Sequence, residues 1–215
     1  MPRNTTTFPA APPPSSDDAV RIIERETLYQ GFFRLDRYRF SHRLHAGGWS
    51  PEVLREVSER GRAVGLLLYD PVGDAVVLVE QFRIAAHAAG CSSWSIEVVA
   101  GIVDRDGESD REVARREAQE EAGLAVEGEL LPIHHFLTSP GGTTQTVALF
   151  CGRVDASRAG GVHGLAEELE DIKVVVKPYA EAMRMLRTGK IENATTLVAL
   201  YWLATHRPRL RRLWR

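Results

Sequence analysis

The apolar positions of this chain fall into strand-like runs interrupted by three helical stretches. Phe33 and Leu35 alternate with polar neighbours, and Tyr38, Phe40 and Leu44 alternate in the opposite phase. That pattern predicts two or three exposed antiparallel strands ending at Gly47-Gly48. So short a sheet cannot bury both faces alone, so it must pack on the rest of the chain or on a second copy. In AVGLLLYDPVGDAVVLVEQFRI two apolar runs flank Asp70-Pro71-Val72-Gly73-Asp74, a hairpin signal. WSIEVVAG reads as a further strand, and others are expected near 130–138, 146–154 and 172–177. A helix is expected over 109–122, where Ser109 and Glu112 make a capping box and Gly123 supplies the stop. Two more close the chain, about 178–188 (stopped by Gly189) and 194–206 (stopped before Pro208). Strands on both sides of a central helix, followed by terminal helices, predict an α/β (α+β) fold with a mixed sheet between helices.

The chain has 215 residues, enough for one domain or one domain with a small appendage. Its 27 Lys+Arg and 29 Asp+Glu give a formal net charge of −2, which argues against a nucleic-acid partner. Two cysteines, Cys91 and Cys151, exclude a disulfide framework and a four-thiolate zinc site, and they fit a reducing cytoplasm. The first residues carry five prolines and no apolar core of a secretory signal, so residues 1–18 are expected to be a disordered arm. The longest apolar stretch, Leu197 to Ala204, is far short of a bilayer span, so no membrane partner is expected. Residues 207–215, with five arginines, read as a basic, solvated tail.

The near-zero charge is a sum of segregated parts. On the expected helix, Glu117, Glu120 and Glu121 share one side and crowd the last turn, where the macrodipole favours positive charge. Local stability alone does not choose this arrangement, whereas a hard divalent cation would repay it. Taken alone, ExxEE is most simply a solvated helix with Glu112–Arg116 and Arg116–Glu120 pairs. The strand-like VVAG before it and the Gly-rich segment after it change that balance.

REAQEEAGL, from Arg116 to Leu124, resembles the core of the Nudix box. That pattern runs Gly, five residues, Glu, seven residues, then Arg-Glu-aliphatic-any-Glu-Glu-any-Gly-aliphatic. Seven residues separate Glu108 from Arg116, as the pattern requires. Six residues, not five, separate Gly101 from Glu108, which reads as a one-residue loop insertion ahead of the helix. The resemblance implies a Nudix-type α/β/α sandwich over residues 61–206, with a small N-terminal β-sheet subdomain over 19–60. It implies magnesium, or manganese in its place, two or three ions per site. Glu117, Glu121 and the Ala100 carbonyl would be ligands and Glu120 a helper, while Arg116, with Glu108 and Gly101, would orient the set.

Beyond the box, the chain resembles the bacterial ADP-ribose diphosphatase branch. Ser139-Pro140-Gly141-Gly142 places Pro140 sixteen residues after Leu124, and ETLYQGFF, REVSERG, EQFRIAA and HGLAEELEDIKV are similar to segments of those enzymes. The resemblance implies that Glu168 is the general base and Glu170 a further metal ligand, on a Gly-flanked acidic loop. It implies substrate contacts from Phe32, Phe33, Arg55, Glu56, Arg60, Arg83, Ile102, Ser139, Pro140, Gly141 and Gln145. Some of these would come from strands exchanged across a homodimer with shared sites. Gln145 stands where the family often has glutamate, and an amide cannot replace a carboxylate as a strong ligand or base. The expected activity is hydrolysis of ADP-ribose to AMP and ribose 5-phosphate by a cytoplasmic enzyme. The alternatives are another nucleotide sugar, a dinucleoside polyphosphate, or a sensor that binds ADP-ribose without cleaving it.

Overall fold

The computed structural model describes residues 18–105 and 107–214. The arm expected over 1–18 therefore lies, apart from Asp18, outside the described residues. Among the described residues, eleven strands and four α-helices follow in order: β1 (Val20–Gln30), β2 (Arg34–His42), β3 (Val53–Glu59), β4 (Arg62–Asp70), β5 (Ala75–Phe82), α1 (Ile84–Ala88), β6 (Trp94–Glu97) and β7 (Val99–Ile102). Then come α2 (Asp110–Ala122), β8 (Glu127–Leu137), β9 (Thr146–Arg153), β10 (Val162–His163), β11 (Ile172–Pro178), α3 (Tyr179–Arg187) and α4 (Ala194–Leu213).

The chain divides into two compact units. One comprises residues up to Arg62 together with Leu137–Thr146. Its antiparallel sheet has the order β1-β2-β3. Two strands precede Gly47-Gly48 and the third follows, because both glycines take positive φ (92° and 79°) and turn the chain back. The sheet is organised by charge more than by apolar packing. Asp36, fully buried, accepts from Arg25 Nε (2.7 Å), Thr27 Oγ1 (2.8 Å) and Arg34 Nε (3.1 Å). Glu59 accepts from Tyr38 Oη at 2.7 Å. The 137–146 loop joins this sheet along β3: Ser58 N–H donates to Gly142 O (2.9 Å) and Thr144 N–H to Ser58 O (3.1 Å).

The other unit holds three layers around the larger sheet, of order β10-β11-β5-β4-β9-β8. Strand alternation assigns the faces. Val77 and Val79 of β5, with Leu66 and Leu68 of β4, join a core with Val113, Ala114 and Ala118 of α2. Val76, Leu78, Leu67 and Tyr69 join another with Ala182, Met185, Leu200 and Leu203 of α3 and α4. The expected sandwich, one helix above and two below a mixed sheet, is the observed fold. The hairpin forms at Asp70–Asp74, where Asp70 Oδ1 accepts from Val72 and Gly73 N–H (both 2.8 Å).

WSIEVVAG forms two strands instead of the expected one. β4 and β5 pair at Leu68–Asp70 and then part; β6 pairs with β5 and β7 with β4. The break falls at Val98, whose N–H donates to Thr196 Oγ1 of α4 (2.9 Å) instead of to a strand.

The last helix also departs from expectation: it passes through Pro208 and ends at Leu213. An internal proline costs a helix about 3 kcal/mol. Tertiary contacts offset it here. Leu210 and Trp214 are buried against the α3/α4 core, and Asp74 of the hairpin binds Arg207 through Nε (2.7 Å) and Nη2, with Arg211 at 3.6 Å. Most of the expected basic tail is thus an anchored helix end, while Arg215 lies outside the described residues. Among the described residues, no helix is long and apolar enough to cross a membrane.

Candidate active site

The carboxylate cluster of the larger unit is built from α2 outward. Ser109 caps the helix: its Oγ accepts from the Glu112 N–H while Glu112 accepts from the Ser109 N–H (2.8 Å). Glu112 is thereby committed to the cap and makes no pair with Arg116. Gly123 ends the helix in the left-handed conformation (φ 64°), where a side chain would be strained. Between these stops, Val113, Ala114 and Ala118 pack on the sheet and carry Glu117 and Glu121 to its surface, both buried.

Arg116 ties the acidic groups together. Its Nε donates to Glu108 (3.1 Å), and its Nη1 donates to both Glu117 and Glu120 (2.8 Å each). Asp104 lies 3.7 Å away. Gly101 on β7 lies directly beneath Glu117, since a Cβ there would meet Glu117 Oε1 at 2.0 Å. The neighbouring Ala100 N–H donates to Glu121 Oε2 (3.1 Å). Ile102 pairs with Ala63 in the same strand pair.

The acidic loop is tethered to this helix by Gly164 N–H, which donates to Glu120 O (3.2 Å). Glu170 folds back on its own loop and accepts from Leu165 N–H (3.0 Å). Glu168 lies on a single 3-10 turn, exposed, followed by Leu169 with a positive φ of 57°.

Burial raises the Glu117 carboxyl to about 7, the charges of Glu120 and Glu170 adding to the rise and Arg116 opposing it. Burial raises Glu121 to about 8, with Glu117 and Glu170 adding and the Ala100 N–H and Arg83 opposing. Partial burial and then the charge of Glu170 lift Glu168. These groups therefore feel one another, and the cluster, if fully ionised, would hold more negative charge than its own donors neutralise.

That imbalance fits a hard divalent cation, and carboxylate oxygens are the ligands such ions prefer. The cage is not preformed. Among the described residues no three His, Cys, Asp or Glu side chains are gathered closely enough to hold an ion. Glu117 is turned to Arg116, Glu121 to Ala100 and Glu170 to Leu165, so an ion held by these three would have to exchange those hydrogen bonds for coordination.

The remaining expected contacts lie in the smaller unit. Phe32 and Phe33 meet edge-to-face at 4.8 Å, and the Arg60 guanidinium stacks over Phe33 at 4.1 Å. Arg55 donates to the Leu54 carbonyl (2.7 Å), and Glu56 is 3.5 Å from Arg37 on the exposed face. Ser139, Pro140, Gly141 and Gln145 lie on the loop paired to β3; Thr138 N–H donates to the Gln145 carbonyl (3.1 Å). The structure thus gathers Phe32, Phe33 and Arg60 in one unit, and the carboxylates with Arg83 in the other.

Glu97 and Gln81 are among the buried polar groups that sequence reasoning missed. Glu97, 5% exposed, accepts from Arg83 through both oxygens. Gln81, also 5% exposed, has its Nε2 buried without a partner. Each sits in the inward phase of a strand, Gln81 two residues after Val79 and Glu97 two before Val99. A polar residue in the buried phase was the available signal.

Comparison with known proteins agrees with this architecture. The NUDIX domain matches residues 59–196, and the chain belongs to the Nudix family. It is 52% identical over 195 residues to the ADP-ribose pyrophosphatase of Escherichia coli, covering 91% of this chain and 92% of that protein. It is 42% identical over 206 residues to the ADP-ribose pyrophosphatase of Haemophilus influenzae, covering 93% of each. GDP-mannose pyrophosphatase of Escherichia coli is more distant, at 34% identity over 86% of this chain and 95% of that one. A solved structure of an ADP compounds hydrolase superposes with a TM-score of 0.68, covering 92% of this chain and 97% of that chain; at 20% identity it speaks to the fold alone.

Proposed function

We propose that the protein is a divalent-metal-dependent hydrolase of ADP-ribose, yielding AMP and ribose 5-phosphate. The observation that carries the substrate is the 52% identity, over nearly the whole chain, to ADP-ribose pyrophosphatases. The carboxylate cluster supports the chemistry. Arg116, Glu117, Glu120 and Glu121 all stand, which speaks against a sensor that has lost catalysis.

In this reading Glu117, Glu121, Glu170 and the Ala100 carbonyl hold the ions, with Glu120 assisting; magnesium is the ion, manganese can replace it, and two or three bind. The bound metal supplies charge neutralisation on the diphosphate and acidifies water. Glu168 takes the proton of the attacking water, whose oxygen bonds to one phosphorus as the bridging P–O bond breaks. Partial burial and the charge of Glu170 raise the Glu168 pKa, the direction that makes a carboxylate a better base. Arg83 grips a phosphate, and Arg116 with Glu108 keeps Glu117 and Glu120 aimed.

The same proposal extends to assembly. Residues 19–60 form a subdomain exchanged between two cytoplasmic copies. Phe32, Phe33, Arg55, Glu56, Arg60, Ile102, Ser139, Pro140, Gly141 and Gln145 would complete shared substrate sites. The exposed apolar side chains of the smaller sheet, Ile22, Ile23 and Leu54, support a covering partner.

Product identification in isotopically labelled water tests the activity. Label is expected in AMP or ribose 5-phosphate, and Glu168→Gln is expected to lower kcat by about 10²–10⁴-fold while binding persists. A GDP-sugar turned over faster than ADP-ribose, or a full rate in Glu168→Gln, contradicts the reading.

A further inference from the structure

Arg83 and Glu97 form a charged fork on the sheet face that carries the carboxylates. Glu97 pairs with Val79 across β5 and β6, and Val79 belongs to the core beneath α2, so Glu97 faces that layer. Its side chain is only 7% exposed. Arg83 donates from Nε to Glu97 Oε1 (3.2 Å) and from Nη2 to Oε2 (2.9 Å). This is the bidentate geometry in which a guanidinium is held in one orientation.

The two partners are unequally enclosed. The Arg83 side chain is 44% exposed, and its Nη1 takes no part in the fork. The guanidinium also lies in the field of Glu121 and Glu170. A guanidinium released from Glu97 would be drawn toward those carboxylates, and pairing with either would neutralise it. A carboxylate so paired is a poorer ligand for a cation.

We propose that Glu97 is a positioning residue that acts through Arg83. It clamps the guanidinium so that Arg83 presents Nη1 to the diphosphate and stays off Glu121 and Glu170, which remain open to the divalent ion. Glu97 itself touches neither substrate nor ion. The proposal rests on the reading above of Glu121 and Glu170 as ligands and Arg83 as a phosphate contact.

The test measures Mn2+ binding to the substrate-free protein by paramagnetic resonance, and kcat and KM for ADP-ribose separately. Glu97→Gln is expected to weaken Mn2+ binding about ten-fold and to raise KM more than it lowers kcat. Glu97→Gln combined with Arg83→Gln is expected to recover Mn2+ affinity, because no guanidinium is left to compete. Parental Mn2+ affinity in Glu97→Gln, or a loss that persists in the double variant, overturns the proposal. Should Glu97→Gln not fold, Arg83→Lys keeps the charge on a half-exposed side chain but cannot fork. Weakened Mn2+ binding is expected there too, and parental affinity in that variant overturns the proposal. The underlying reading fails separately, by parental Mn2+ binding in Glu121→Gln or parental KM in Arg83→Gln.

Discussion

A methyl group on Gly101 would stand 2.0 Å from Glu117 Oε1 and 2.1 Å from its Cδ. The strand therefore leaves a notch into which the helix lowers its carboxylate. Gly101→Ala must push Glu117 off Arg116. It is expected to cut Mn2+ affinity and kcat/KM by about 10–100-fold, as loss of a ligand's support does. Titration and initial rates check this, with the far-ultraviolet spectrum unchanged.

Arg116 hydrogen-bonds three carboxylates at once, so its removal leaves Glu108, Glu117 and Glu120 facing one another, with Arg105 3.8 Å from Glu120. Arg116→Ala is expected to destabilise the protein by on the order of 2–4 kcal/mol and to lower kcat. Added Mn2+ should return part of the stability, which urea denaturation with and without the ion measures.

The raised carboxyls set a pH dependence of definite sign. The folded values of Glu117 and Glu121, about 7 and about 8, lie above their ordinary 4.5, so the native state binds protons that the unfolded state has lost. Their contribution to metal-free stability is therefore fullest below the ordinary value and falls as pH rises through about 7 and about 8. Glu121→Gln is expected to flatten this fall and to be the more stable metal-free protein at alkaline pH. Metal binding near neutrality should release protons, because the ligands must ionise. Calorimetry in two buffers of different ionisation enthalpy reads the number directly.

Asp74 behaves oppositely. The Arg207 hydrogen bond holds its carboxyl below the ordinary range, with Tyr69 and Arg211 adding to the shift. Its contribution is present above the ordinary carboxylate value and is lost as pH falls through the depressed one. Asp74→Ala is expected to cost about 1–3 kcal/mol and to fray α4 beyond Pro208. Urea denaturation gives the cost, and amide exchange at Leu210 and Trp214 locates it.

Local signals in the chain carried much of this structure. The Asp70–Asp74 hairpin, the Ser109–Glu112 box and the Gly123 stop are backbone events whose causes lie within a few residues. The larger divergences came from contacts between distant segments. Pro208 forecasts a helix end from local sterics, yet Asp74, more than a hundred residues earlier, holds the helix beyond it. The strand break at Val98 depends on Thr196, which no pattern around WSIEVVAG reveals. In the site, the box glutamates were legible because their spacing is helical and REAQEEAGL resembles the Nudix box. Glu97 was not, because its meaning depends on Arg83, fourteen positions earlier at the start of α1.

Thr196 is fully buried on the side of the sheet away from the carboxylates, where Asn193 caps its helix and accepts from the Thr196 N–H (2.9 Å). Its hydroxyl takes the Val98 N–H. A single side chain behind the sheet thus sets the point at which one strand gives way to the next, one residue after Glu97 and two before Ala100. The chemistry-bearing face is aligned from its reverse, like type locked from the back of the frame. Selection for activity should therefore reach residues that no substrate, ion or water in the reaction ever meets.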